Sequence, residues 1–135
     1  MKTRIAAIAD GAAMSRVLRE IIEQTGRQRP SDEAFVTMQY LDNPANVRCT
    51  VVVDETGEVL GFQSLIRAEA RNRYDVPEGW GIIGTHISPR AHRRGAGKAL
   101  FRSSREAAER SGLEKIDAYI SRDNPSGLRY YEAMG

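Results

Sequence analysis

One stretch of the sequence decides the fold, ISPRAHRRGAGKAL at residues 87–100. It follows an apolar run that ends at Ile87, and it passes through a proline and a basic turn before the next helical pattern begins. Gly95 and Gly97 let the backbone approach a ligand closely, because glycine has no Cβ. The first amides of a helix lie at the positive end of its dipole. The pattern therefore predicts a strand, a glycine turn and a helix N-terminus that together bind a diphosphate.

Four cations of this stretch would add positive charge to such a site: Arg90, Arg93, Arg94 and Lys98. A Walker A loop does not fit, because it needs a hydroxyl residue after its lysine and Ala99 stands there. A dinucleotide-binding turn does not fit either, because its third glycine would be at Leu100. A basic surface turn without a ligand is the remaining alternative to a diphosphate site.

Residues 92–97 resemble the coenzyme A loop of the GCN5-related N-acetyltransferases (GNAT), which is usually written Gln/Arg-x-x-Gly-x-Gly/Ala. His92 stands where that family usually has Gln or Arg. Residues 124–135, NPSGLRYYEAMG, resemble the later signature of the family, in which a Tyr follows an Asn by seven residues and a Gly comes after it. Residues 4–10, RIAAIAD, are similar to the opening of the family. The resemblance thus spans almost the whole chain.

Length and composition predict a single globular domain over residues 1–135. The 20 basic and 18 acidic side chains leave a net charge of +2, which does not indicate a nucleic-acid partner. Cys49 is the single cysteine; we expect a buried, inert thiol and a cytoplasmic location. His86 and His92 are the only histidines, so we expect no metal site of the usual kind. No apolar run has transmembrane length, so we expect no membrane partner.

Apolar periodicity and turn residues predict the element order β-α-α-β-β-β-α-β-α. Predicted strands lie at residues 3–9, 47–54, 59–67, 81–88 and 113–121. Predicted helices lie at about residues 12–25 and 31–41, after the glycine turn as far as about 111, and after Asn124; Asp10 and Ser31 are predicted as N-caps. The resemblance implies an α/β (α+β) fold with a mixed, mostly antiparallel central sheet flanked by helices.

The family normally continues after its last helix with two further strands, and these C-terminal strands do not follow Gly135 in this sequence. The strand predicted at residues 113–121 would then present an open edge. Open strand edges and uncovered apolar residues favour association. We therefore expect this chain to associate with itself, for example as a homodimer.

The resemblance also implies a reaction, the transfer of an acetyl group from the co-substrate acetyl-CoA to the primary amine of a small molecule. Tyr131 takes the motif position of the general acid that protonates the leaving thiolate. Asn124 would cap the last helix and hydrogen-bond the cofactor. The other cofactor-binding residues implied are the main chain of Ile87 and Ser88 at the strand end, together with the loop residues His92, Arg93, Arg94, Gly95, Ala96, Gly97 and Lys98.

The general base is the weakest point of the pattern. Many relatives carry Glu on the strand before the loop, but residues 80–88 contain no carboxylate. His86 is the only titratable side chain on that strand and is the candidate base, with a hydrogen-bonded structural role as the alternative. Water chains that reach Glu78 or Asp75, or an acceptor that arrives already deprotonated, would serve the same purpose.

The acceptor amine is poorly specified by the sequence. In the family the loop between the first two helices borders the acceptor pocket, and here that loop carries Arg27 and Arg29. Two arginines suit a substrate with a carboxylate, such as an amino acid or an analogue. Two alternatives stay open: a protein N-terminal or lysine acetyltransferase, and a non-catalytic acyl-CoA-binding module, which the absent base and strands would favour. A nucleic-acid-binding role would need an aromatic-rich strand beside the basic loop, and none is present.

Overall fold

The computed structural model describes residues 1–72, 76–91 and 94–118. Its strands are β1 (Lys2–Ile5), β2 (Asn46–Val53), β3 (Val59–Arg67), β4 (Gly81–Ile87) and β5 (Ile116–Ala118). Its helices are α1 (Gly11–Thr25), α2 (Glu33–Val36), which a π-helical turn (Thr37–Leu41) continues, and α3 (Ala96–Arg110); short 3-10 turns lie at Ile8–Asp10 and Pro89–Ala91. The predicted order is confirmed over these residues. The helix predicted after Asn124 lies outside them.

All five strands belong to one sheet, in the spatial order β1-β2-β3-β4-β5. The first four strands pair antiparallel with their neighbours, and β5 joins parallel to β4. The register of the parallel pair places Gly81 opposite Ile116 and Ile83 opposite Ala118. The mixed, mostly antiparallel sheet that the resemblance implies is therefore confirmed.

Helices cover both faces of this sheet. The apolar side of α1 packs on one face through Met14, Val17 and Leu18, all of which are fully buried, and the same cluster holds Val51 of β2 and Phe62 of β3. Helix α3 packs on the opposite face, where its buried side chains contact β2, β3 and β4: Ala96, Leu100, Ala107 and Ala108. Burying one Leu or Met side chain contributes about 1.5–3 kcal/mol. These two layers fix the sheet between α1 and α3.

The N-terminal strand is shorter than predicted because of one ion pair. Strand β1 ends at Ile5, where residues 3–9 were expected to be extended. The carboxylate of Asp10 accepts two hydrogen bonds from Arg4 at 2.8 Å each and one from the amide of Ala7 at 2.7 Å. These bonds turn the chain into a 3-10 turn. Asp10 does occupy the N-cap position of α1, but its side chain makes no capping bond to that helix.

The second helix begins one residue later than predicted. Asp32, not Ser31, is its N-cap, because the Asp32 carboxylate accepts the amide of Phe35 at 3.1 Å. The carbonyl of Ser31 accepts the hydroxyl of Ser15 instead, which ties the loop to α1. The helix then widens into the π-helical turn at Thr37–Leu41, a feature that propensity does not predict.

Among the helices at residues 1–72, 76–91 and 94–118, none is long and apolar enough to span a bilayer.

Candidate active site

Among the described residues, the pairing of β5 with β4 stops before the carboxyl end of β4. The amide of Gly81 donates to the carbonyl of Lys115 at 2.9 Å, on the β5 side, whereas the amide of Ser88 donates to the carbonyl of Leu60 at 2.8 Å, on the β3 side. Because main-chain groups point alternately to the two sides of a strand, those of Ile87 face the β5 side. Within the described residues, β5 pairs only with Gly81–Ile83, so Ile87 lies beyond that pairing.

This alternation separates the two residues predicted to pair with a ligand at the strand end. The main-chain groups of Ile87 face away from β3, as pairing with a ligand at the strand end would require. The amide of Ser88 is used by the sheet, and its buried hydroxyl accepts the amide of Arg90 at 3.2 Å, so Ser88 differs from the prediction.

A left-handed glycine joins this strand end to α3. Gly95 has φ 81° and ψ 8°, is the N-cap of α3, and makes no side-chain capping bond. A Cβ at Gly95 would have nothing within 4 Å, so the turn is open to solvent. Glycine is favoured here because other residues rarely adopt this φ. The turn thus leaves the positive end of a 15-residue helix without a side-chain cap from its own N-cap residue.

The other residues of the predicted loop have different surroundings. Arg94 and Lys98 are exposed, and Gly97 is partly buried. Ala96 is only 2% exposed and packs beside Leu60 and Leu100, so its side chain serves the core. His92 and Arg93, like Tyr131 and Asn124, lie outside the described residues, and their predicted roles stay predictions. The exposed cations Arg94 and Lys98 are therefore the described side chains available to a diphosphate at this turn.

Arg90 does not contribute charge to this turn, contrary to the prediction. Its guanidinium binds Glu20 of α1 at 2.7 Å and Glu58 of the β2–β3 hairpin at 3.0 Å. The hydrogen bond from Arg90 holds the pKa of Glu20 below its ordinary value. Two carboxylates thus compensate this cation, and it joins three elements of the fold instead of facing a ligand.

His86 lies one residue before Ile87, on the face of β4 that α1 and α2 cover. Its Nδ1 is 3.4 Å from Nη1 of Arg29, and its Nε2 is 3.4 Å from the hydroxyl of Tyr40. Nη2 of Arg29 donates to that same hydroxyl at 2.8 Å. The rings of Tyr40 and Phe62 lie 5.6 and 4.9 Å from the His86 ring, measured between centroids. We call Arg29, Tyr40 and His86 the arginine cluster.

The protonation of His86 follows from these contacts. A guanidinium has no acceptor, so the Arg29 contact leaves Nδ1 as the accepting nitrogen and places the ring proton on Nε2. Burial of the ring, and then the charges of Arg29 and Arg27, lower the pKa of His86 to about 3. At neutral pH the ring is therefore uncharged, with one nitrogen facing a cation and the other facing a hydroxyl. These features suit a hydrogen-bonded positioning residue and do not suit the general base.

The loop between α1 and α2 places its two arginines in different surroundings, although both were predicted to suit a carboxylate. Arg27 is exposed, whereas Arg29 is partly buried and turns toward β4. Tyr40, which holds Arg29 in place, was not among the predicted site residues. It lies in the π-helical turn, where the regular helical period does not indicate which way a side chain points. No pattern in a single sequence would have indicated this contact.

Two further expectations concern metals and cysteine. Across the described part of the chain, no group of three or more His, Cys, Asp and Glu side chains could hold a metal ion. Cys49 is 2% exposed, and burial raises the pKa of its thiol to about 12. The prediction of a buried and inert thiol is therefore confirmed.

Comparison with known proteins agrees with this architecture. The sequence model of the acetyltransferase (GNAT) family matches residues 14–135. The mycothiol acetyltransferase of Renibacterium salmoninarum is 30% identical over 86 residues, which are 63% of this chain and 25% of that protein. The match therefore spans about a quarter of the length of this curated relative.

Solved structures share the fold at lower identity. A GCN5-related N-acetyltransferase from Kribbella flavida superposes with a TM-score of 0.76 at 22% identity, over 99% of this chain and 80% of that one. AAC(6')-Iy, in complex with the bisubstrate analogue CoA-S-monomethyl-acetylneamine, gives a TM-score of 0.76 at 14% identity, over 99% and 88%. At such identities the likeness shows the fold alone. The family match over residues 14–135, on a five-stranded sheet with a glycine turn before α3, shows that this chain belongs to the GNAT acetyltransferase family.

Proposed function

We propose that this protein is an acetyl-CoA-dependent N-acetyltransferase that acts on the primary amine of a small molecule. The observation that carries the proposal is the left-handed Gly95 turn, which follows β4 in the chain and begins α3. The family to which the chain belongs uses acetyl-CoA. Acetyl-CoA supplies an activated thioester, and the remaining requirements fall on the protein.

The described residues fit the two parts of coenzyme A that a protein must hold. The N-terminus of α3, whose N-cap Gly95 has no side chain and beside which Arg94 and Lys98 are exposed, suits the diphosphate. The main-chain groups of Ile87 face the β5 side of β4 and suit an amide of the pantetheine arm, as an added strand would pair there. Gly95 suits the close approach, since nothing occupies the space a Cβ would take.

The chain's own residues also bear on how the amine becomes reactive. An amine attacks a thioester only in its neutral form, and β4 offers no carboxylate to remove its proton. His86 stays neutral beside Arg29, so the arginine cluster keeps a positive potential at the end of β4. A positive potential lowers the pKa of a nearby ammonium. We propose that this field lowers the pKa of the amine of an uncharged acceptor, or offsets the carboxylate of an acidic one, so that water can accept the proton.

Two of the similar proteins support a small-molecule acceptor. The curated relative is a mycothiol acetyltransferase, and AAC(6')-Iy binds an analogue that joins coenzyme A to an acetylated neamine. The competing functions are acetylation of a protein N-terminus or lysine, and acyl-CoA binding without catalysis. These three functions differ in what releases free coenzyme A.

The test is an assay of free thiol released from acetyl-CoA across an acceptor panel. The panel holds small amines, including amino acids and aminoglycosides, together with peptides that carry a free N-terminus or a lysine. We expect release with at least one small amine and none with the peptides. Release with peptides alone would move the function to protein acetylation. Coenzyme A binding without release from any acceptor would favour a binding module.

A further inference from the structure

Arg29 is a partly buried cation whose described partners are both neutral. Its Nη2 donates to the Tyr40 hydroxyl at 2.8 Å, its Nη1 lies 3.4 Å from Nδ1 of His86, and its buried Nε has no hydrogen-bond partner among the described residues. Within residues 1–72, 76–91 and 94–118, no carboxylate forms an ion pair with it. A buried charge is costly unless it is paired.

Two other guanidinium groups of this fold show the contrast. Arg4 binds the carboxylate of Asp10 at 2.8 Å, and Arg90 binds two carboxylates at 2.7 and 3.0 Å. Tyr40 and His86 orient Arg29 without neutralising it, since the ring of His86 is uncharged at neutral pH. The chain thus holds the guanidinium of Arg29 in a fixed orientation beside β4, and the described residues leave its charge uncompensated.

The position of this charge connects it with the proposed reaction. The guanidinium of Arg29 contacts His86. The next residue, Ile87, turns its main chain to the β5 side of β4, beyond the described pairing with β5. The guanidinium lies on the face of β4 that α1 and α2 cover, whereas the Gly95 turn leads into α3 on the other face. An anion on Arg29 would therefore lie near the strand end but apart from the turn proposed for the diphosphate.

We propose that Arg29 is the specificity-determining residue of the acceptor site and that it binds a carboxylate of the acceptor, which is an amino acid or a similar amino carboxylate. The inference rests on the function proposed above. A guanidinium presents a planar fork of donors that matches a carboxylate. Tyr40 and His86 are positioning residues in this arrangement, because they hold the fork and do not neutralise it.

The experiment compares acceptors that differ only in the carboxylate. A pool of the common amino acids and a matched pool of their amides are acetylated separately, and products are quantified by mass spectrometry. We expect the wild-type protein to favour the acids by about 10-fold or more, the size of a hydrogen bond to a charged group. Arg29→Gln should bring the ratio close to one, and Arg29→Lys should keep part of it. The KM for acetyl-CoA should change less than about twofold in both variants.

Arg27→Gln is the matched control, because Arg27 is exposed on the same loop and should leave the preference intact. A wild-type preference for the amides, equal use of both pools, or a preference that survives Arg29→Gln would overturn the proposal. Should Arg29→Gln not fold, the wild-type ratio still decides. A second readout needs no turnover: calorimetry of pooled N-acetyl amino acids against their amides, in which only the acids should bind. Binding of the acids without any acetyl transfer would support the role of Arg29 and reject the proposed function. Acetylation of amines that lack a carboxylate as fast as of the acids would reject the role of Arg29 and support the proposed function.

Discussion

At the scale of single residues, the neutral state of His86 sets a pH dependence of folding stability. The folded protein lowers its pKa from the ordinary 6.5 to about 3, first through burial and then through Arg29 and Arg27. Between these values the unfolded chain binds the proton and the folded chain does not, so stability falls as the pH drops below about 6.5. We expect His86→Gln to remove a pH-dependent loss on the order of a few kcal/mol between pH 6.5 and pH 4. Urea unfolding of both proteins at several pH values measures it.

The comparison rests on the slope of stability against pH, because the substitution itself also changes the stability at pH 7. His92 is present in both proteins, so its contribution cancels in the difference. Equal slopes in wild type and variant would mean that His86 titrates normally in the folded protein. The cluster would then not keep the ring neutral, and the proposed positive potential would lose its support.

A second residue-scale prediction separates the cations of residues 87–100. Arg90 is bound by Glu20 and Glu58, so Arg90→Gln should leave these two carboxylates with Arg16 alone and lower the melting temperature with little effect on coenzyme A affinity. Lys98→Gln should weaken coenzyme A binding and leave the melting temperature nearly unchanged, because Lys98 is exposed beside the helix N-terminus. Calorimetry at two salt concentrations and a melting curve test both. Weaker coenzyme A binding in Arg90→Gln than in Lys98→Gln would reverse the assignment.

At the scale of elements, the close approach of β3 to the end of β4 depends on Gly61. A Cβ at Gly61 would lie 2.9 Å from the carbonyl oxygen of His86 and 3.1 Å from Cα of Ile87, and both contacts are main chain. Gly61→Ala must therefore displace the strand end. We expect a destabilisation of about 1–3 kcal/mol and a loss of coenzyme A affinity. Unfolding in urea and calorimetry measure the two effects.

Gly84→Ala is the matched control on the neighbouring strand. Its Cβ would meet the hydroxyl of Ser64 at 3.3 Å and Nε2 of His86 at 3.6 Å, and both are side-chain atoms. The main chain of β4 should stay in place, and coenzyme A affinity should change less than in Gly61→Ala. If the two variants bind coenzyme A equally well, the strand end does not contribute to the cofactor site.

At the scale of the whole molecule, the elements whose bounds the sequence predicted correctly are those marked by local patterns. Strand β3 lies at the predicted residues, since apolar alternation and the turn before it mark both ends. Helix α3 ends as predicted before Gly112, whose φ of 71° suits glycine. The contacts that redefine the site are long-range: Arg90 meets Glu20 across 70 residues of sequence, and His86 meets Arg29 across 57. A single sequence carries no signal for such pairs, so the compensated Arg90 and the neutral His86 could not be predicted.

The central claim, that the Gly95 turn holds the diphosphate of coenzyme A, is tested most directly by the affinity of coenzyme A for Gly95→Asp. A Cβ at Gly95 meets open space, and Asp tolerates left-handed backbone better than most residues, so the main effect should be the added negative charge. Gly95→Asn adds the same bulk without charge, and Gly112→Asp adds the charge after the other end of α3, also at a left-handed glycine with open space. We predict by calorimetry that Gly95→Asp loses most of the affinity, that Gly95→Asn loses less, and that Gly112→Asp binds like wild type. Wild-type affinity in a folded Gly95→Asp protein would contradict the claim.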